Sequence, residues 1–184
     1  QVSASTERIQ LCAIFNDILV VARGGTVRTG TTSGDWTSRA TSKGTTYTYD
    51  FDRFNFDGND KIIIATGEAA AFTLNTSYSE DIINATGGGT APTNPKYVKS
   101  FANHMWYSGM SNATSTLQYS GPYTEDDFDT GGGTIIMGDV ITGMKVFRDE
   151  LFVFCESSIY KITGTSSSNF AKAEVAKNIG TLSH

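Results

Sequence analysis

The sequence predicts an all-β fold: a β-propeller-like array of about four antiparallel blades, closed as a ring or forming an arc of a larger propeller. Three observations lead there. The apolar runs have strand length, the longest being Ile18-Leu19-Val20-Val21-Ala22 and Leu151-Phe152-Val153-Phe154-Cys155. One strand–turn–strand pattern returns four times at an interval of roughly 45 residues. The composition, with 19 glycines and 11% aromatic residues beside much Ser and Thr, suits short strands and frequent turns.

The first copy reads Leu11-Cys12-Ala13-Ile14-Phe15, then Asn16-Asp17, then Ile18-Leu19-Val20-Val21. The second has Phe54-Asn55-Phe56, a turn over 57–60, and Lys61-Ile62-Ile63-Ile64. The third runs from 97 to 101, turns at Asn103-His104, and continues Met105-Trp106-Tyr107. The fourth has Met144-Lys145-Val146-Phe147, a turn over 148–150, and Leu151-Phe152-Val153-Phe154. Taking Asp17, Asp60, His104 and Glu150 as the last turn residues aligns the copies. Third strands are expected over 26–29, 70–74, 116–119 and 159–163, where the lean toward alternation fits a strand with one solvated face. A fourth, poorer strand is expected after a Gly-rich turn in each unit, for example at Tyr47-Thr48-Tyr49 and at Thr134-Ile135-Ile136-Met137.

Two further markers keep the period. One is an acid or amide followed by an apolar residue: Asp35-Trp36, Asp81-Ile82, Asp127-Phe128 and Asn169-Phe170. The other is Thr-Gly-Gly-Gly-Thr, at 86–90 and again at 130–134. The chain therefore reads as a single β-repeat domain over 1–184, with blades at approximately 9–46, 47–92, 95–138 and 139–184. One blade cannot bury both of its faces, so blades must stack radially; a stacked sandwich is the alternative. The abrupt end over 178–184, without a polar tail, favours an arc, or a ring completed by another segment. The chain does not begin with Met and is read as processed or as a piece of something longer.

Chemistry is sparse. The net charge of −5 argues against a general nucleic-acid binder, which needs basic patches to displace counterions. No apolar run approaches the roughly 20 residues that span a bilayer, and the polar start lacks a signal-peptide core. Cys12 and Cys155 each sit in an apolar run, which favours buried reduced thiols over a bridge between the first and last units. Of the two histidines, His184 is terminal and His104 reads as an exposed turn residue. The segment 109–113 resembles a nucleophile elbow but lacks its second Gly. The Gly triplets at 87–89 and 131–133 lack the Lys-Ser/Thr ending of a phosphate loop and read as turns. Asp57, Asn59 and Asp60 fit a calcium loop only loosely, and hairpin chemistry explains them as well. Glu125, Asp126, Asp127 and Asp129 form a second acidic cluster whose default is a solvated loop. Sequons at Asn75, Asn84 and Asn112 are explained by composition alone. Catalytic, cofactor-binding and metal-binding residues are thus all expected to be none, and an enzyme is not expected.

Units three and four carry a more specific pattern. Pro95-Lys96-Tyr97-Val98 leads to Phe101-Ala102-Asn103-His104-Met105-Trp106-Tyr107-Ser108, then Leu117-Gln118-Tyr119-Ser120 and Glu125-Asp126-Asp127-Phe128. Gly132-Gly133-Thr134-Ile135 and Asp139-Val140-Ile141-Thr142-Gly143-Met144 follow. The pattern ends on the hairpin over 147–154 and on Ser158-Ile159-Tyr160-Lys161-Ile162-Thr163-Gly164. This resembles the propeller-bearing virion proteins of tailed bacteriophages, of the tail nozzle and DNA-stabilisation hub type. The hairpin at 56–61 is similar to a blade hairpin of that group, and residues 1–49 match only through the repeat. The resemblance implies a structural part of the tail nozzle or hub, or of the head-to-tail connection, located in the virion. It implies other tail or connector proteins as partners, a homo-oligomer around the tail axis, at most passive contact with DNA, no membrane and no cofactor. A carbohydrate- or receptor-binding propeller module is the alternative, with Trp36, Trp106 and Tyr123 as aromatics that would stack on sugars. Trp106 lies in a second strand, which favours packing against a neighbouring blade.

Overall fold

A computed structural model describes residues 7–31, 33–56 and 58–182. Among these residues every regular element is a strand. The first blade is the meander β1 (Ile9–Phe15), β2 (Ile18–Arg23), β3 (Thr26–Gly30) and β4 (Trp36–Ala40). The second is β5 (Asp50–Phe56), β6 (Asn59–Ala65), β7 (Phe72–Asn75) and β8 (Glu80–Ile82). The third is β9 (Tyr97–Phe101), β10 (His104–Ser108), β11 (Thr116–Tyr119) and β12 (Gly133–Ile136). The fourth is β13 (Ile141–Phe147), β14 (Glu150–Cys155), β15 (Ser158–Thr163) and β16 (Ala171–Lys177). Each sheet pairs successive strands antiparallel. The protein is an array of four β-propeller blades.

The blades stack through three buried clusters. Leu11, Ala13, Phe15, Val20 and Ala22 of blade one meet Ile62, Ile64, Phe72 and Leu74 of blade two. Phe54, Phe56 and Ile63 of blade two meet Val98, Met105 and Tyr107 of blade three. Phe101, Trp106, Leu117 and Tyr119 of blade three meet Met144, Leu151, Val153 and Ile162 of blade four. Side chains alternate across a strand, so Ile62 and Ile64 face one neighbour while Ile63 faces the other. This is why the central strands read as continuous apolar runs. Among the described residues none of the three clusters joins blade four to blade one, and the four blades lie as an open arc. The first strands of neighbouring blades, β5, β9 and β13, lie side by side along its inner edge.

Several local expectations need correction. In blades one, three and four the first-hairpin turns are two-residue turns with both central residues at positive φ: Asn16 and Asp17 at 49° and 59°, Ala102 and Asn103 at 51° and 60°, Arg148 and Asp149 at 50° and 59°. That is type I′ geometry, whose twist matches the flanking strands. His104 and Glu150 therefore open the second strands, pairing with Phe101 and Phe147, and Asp60 pairs with Asn55. The aligned turn positions are Asp17, Gly58, Asn103 and Asp149. The fourth strand of blade one is β4, not residues 47–49. Tyr49 instead plugs the crossing between blades, donating from its hydroxyl to the Gly44 carbonyl at 2.6 Å, while its N–H bonds Gln10. Tyr47 lies under the Lys96 ammonium, 4.2 Å from the ring centre.

Candidate functional site

Polar side chains concentrate at the seams between blades. In β5, Asp50 and Asp52 point toward blade three, where no strand pairing satisfies the edge of β9. Asp50 accepts the Val98 N–H at 3.0 Å and the Lys99 ammonium at 2.6 Å, and Asp52 accepts the Ser100 N–H at 2.7 Å. Burial pushes the Asp50 carboxyl upward against the pull of Lys99. The acidic cluster expected to be a solvated loop is a clasp on the same seam. Glu125 pairs with Lys61, and Asp126 accepts the Thr86 hydroxyl at 2.5 Å. Tyr107, fully buried, donates to the Glu125 carbonyl at 2.5 Å, and burial raises its phenol well above the usual range.

The two Gly triplets meet at this clasp from different structural positions. Residues 87–89 follow β8, whereas 131–133 lead into β12. The Phe128 backbone lies so close to Gly89 and Gly132 that a Cβ at either would collide with it. Phe128 N–H also bonds the Gly88 carbonyl at 3.0 Å. Their common spacing in the sequence therefore reflects two walls around one phenylalanine, not one repeated turn.

The seam between blades three and four is aromatic. Trp106 is fully buried and donates from Nε1 to the Phe101 carbonyl at 3.0 Å. Phe170, from the segment before β16, sits 4.9 Å from Trp106, 5.1 Å from His104 and 5.2 Å from Tyr119. Trp106 is thus closed to a sugar, whereas Tyr123 is exposed and Trp36 half-buried on Gly30. His104, expected on the surface, is buried because the turn ends one residue earlier. Its Nδ1 donates to the Ser120 carbonyl at 2.5 Å, and burial lowers its basicity.

At the hairpin end of the first seam lies an open cleft of about 550 Å³. Asn16 and Asp17 of the β1–β2 turn form one wall, and Arg53, Asn55 and Asp60 the other. Asn55 donates to Asp60 at 2.7 Å, and the Tyr78 hydroxyl bonds the Phe15 and Asn16 carbonyls. Carboxylates, a guanidinium and amides here can hydrogen-bond a polar segment. Neither a histidine nor a thiol lines the cleft. The arrangement suits recognition, and sequence reasoning missed it because Asp17 and Arg53 meet only across two blades.

The remaining singled-out residues are dispersed. Asp57 and His184 lie outside the described residues. Among the described residues no three His, Cys, Asp or Glu side chains converge as metal ligands. Cys12 is exposed on the outer face of β1, contrary to expectation, because it alternates with Leu11 and Ala13, which face blade two. Cys155 is buried, which pushes its thiol up to about 11. Both thiols are free. Asp139 accepts from the Ser157 N–H and hydroxyl, at 2.9 and 2.8 Å, and from Ser158 at 2.9 Å. These bonds hold its carboxyl below the usual range and pin the start of blade four.

No family model matches the chain, and no curated protein matches it significantly. Among solved structures it is similar to the BBS1N propeller, crystallised in complex with ARL6DN. The TM-score is 0.54 at 8% identity, over 89% of this chain and 52% of that one. The likeness concerns the fold alone, and the chain spans about half the length of that propeller chain.

Proposed function

We propose that the chain is a non-catalytic structural component of a tailed-phage virion, in the tail nozzle or hub or in the head-to-tail connection. The resemblance of units three and four to propeller-bearing tail proteins is what suggests the particle. The observation that carries the mechanical part of the reading is the engagement of charged side chains at the seams. Asp50, Asp52, Glu125 and Asp126 all bind the neighbouring blade. Such an arc is a stiff scaffold that presents blade edges and a hairpin rim to other tail or connector proteins. Copies arranged around the tail axis would pass DNA with at most passive contact, in keeping with the net charge of −5. The cleft at Asp17, Arg53 and Asp60 serves in this reading as a socket for a polar loop of a neighbour.

The test is immunogold labelling of purified tailed-phage particles that encode the chain. Label is expected at the tail or at the head–tail junction. Protein abundant in infected cells but absent from purified particles would overturn the reading. Strong, saturable binding on a glycan array, combined with that absence, would favour the carbohydrate-binding module.

A further inference from the structure

The seam between blades one and two departs from the pattern of the other two. Counting back from the phenylalanine before the first-hairpin turn, Arg53 and Asn55 of β5 hold the register of Val98 and Ser100 in β9 and of Met144 and Val146 in β13. Asp60 of β6 holds the register of Met105 in β10 and Leu151 in β14. These positions face the preceding blade. Val98, Met105, Met144 and Leu151 are buried against it, and Val146 packs on the same cluster as Met144. Arg53, Asn55 and Asp60 are exposed instead. The facing blade is thinner here as well. Ala13 stands where blade two has Phe54, whose ring fills the next seam.

A seam whose register calls for apolar side chains and receives polar ones stays open at that point, and the cleft of about 550 Å³ is the result. Its size lies in the range of ligand pockets. Departures from the packing rule of a fold gather where the chain meets something else. The charges in the cleft are also not spent on the fold. Among the described residues Asp17 and Arg53 form no ion pair, whereas Asp50 with Lys99 and Glu125 with Lys61 are paired across the adjoining seam. With the Lys61 ammonium taken by Glu125, two carboxylates and one guanidinium remain for an occupant. The balance is negative, and the amides of Asn16 and Asn55 stand beside it.

The geometry points to this cleft as the binding site for a short segment of another protein that carries a lysine or an arginine. The cation of that side chain sits between Asp17 on the wall of blade one and Asp60 on the wall of blade two. Arg53 takes a carbonyl or a carboxylate of the same segment, and the two asparagine amides bond its backbone. Charge complementarity selects a basic segment over an acidic one. The inference rests on the reading of the cleft as a socket for a neighbour and names the chemistry of what enters it. It does not require the assembly to be a virion.

The experiment pans a synthetic library of random octapeptides on the full chain and measures each enriched peptide by fluorescence polarisation. Enriched peptides are expected to share a Lys or Arg, and its replacement by Gln to weaken binding about tenfold. Asp17→Asn and Asp60→Asn in the protein are expected to weaken binding by a similar factor, and Arg53→Gln in the same direction. All three side chains are exposed, so the circular-dichroism spectrum is expected to stay unchanged. The Gln-substituted peptide is expected to bind the wild type and Asp17→Asn alike, a coupling that a folding defect would not produce. A library without any peptide whose binding depends on Asp17 or Asp60 overturns the proposal. So do cleft-dependent peptides with Asp or Glu in place of the basic residue, and so does glycan binding that the same variants abolish. Gold label at the tail without peptide binding removes the cleft assignment alone, and peptide binding without label removes the virion reading alone.

Discussion

His104 donates from Nδ1 to the Ser120 carbonyl and stands edge-on to Phe170 and Tyr119. A protonated ring in that nest would carry a charge with little water around it, so burial lowers its basicity. The unfolded chain binds the proton more readily than the folded one. Stability from this residue is therefore fully present above its ordinary value of 6.5 and is lost as pH falls below that, toward the folded value. The slope cannot exceed about 1.4 kcal/mol per pH unit for one proton. Denaturant titrations of the wild type and of His104→Gln between pH 7.5 and 5 are expected to show a steeper acid loss in the wild type. Parallel curves would mean that the histidine titrates alike in both states. The residue's burial was hidden in the sequence because a polar ring after an Asn looks like the tip of a turn.

At the scale of the element, the first hairpins of blades one, three and four use the same turn with unequal chemistry. Asn and Asp tolerate positive φ, whereas Arg148 at 50° has no such preference. Replacing Arg148 by Asn is expected to raise stability by about 0.5–1 kcal/mol, since the strain goes and the exposed ring contact with Phe147 is worth little. Equilibrium unfolding in urea measures this, and a destabilised variant would show that the cation over Phe147 matters more than the backbone. The hairpins themselves were legible, because paired apolar runs around a short polar gap leave few alternatives. Of the fourth strands, the one expected over 134–137 was found as β12, and the others were not legible. Trp36–Ala40, Glu80–Ile82 and Ala171–Lys177 lie at the outer edge, where a strand needs few apolar residues, and their sequences read as loop. The seams were hidden for another reason. Asp50 and Val98 meet only after two blades have folded, and no local pattern announces such a pair.

For the whole molecule, the arc places two blades inside and two at its ends. Blades two and three are covered on both faces, and blades one and four on one. Stability in such stacked arrays is close to a sum of unit and nearest-neighbour terms, so the ends open first. Amide exchange is expected to be slowest in β6 and β10, where Ile62, Ile63, Ile64, Met105 and Tyr107 are fully buried, and faster in β2 and β14. Equal protection throughout at low protein concentration would show that the four blades open as one unit.

Among the described residues every sheet is made from four consecutive strands, with none borrowed from a distant part of the chain. A nascent polypeptide leaving the ribosome can therefore finish one meander before the next has been translated, and the newest arrives on a surface already waiting for it. Loop closures stay short, so the search that slows many β-rich proteins is broken into brief, sequential steps.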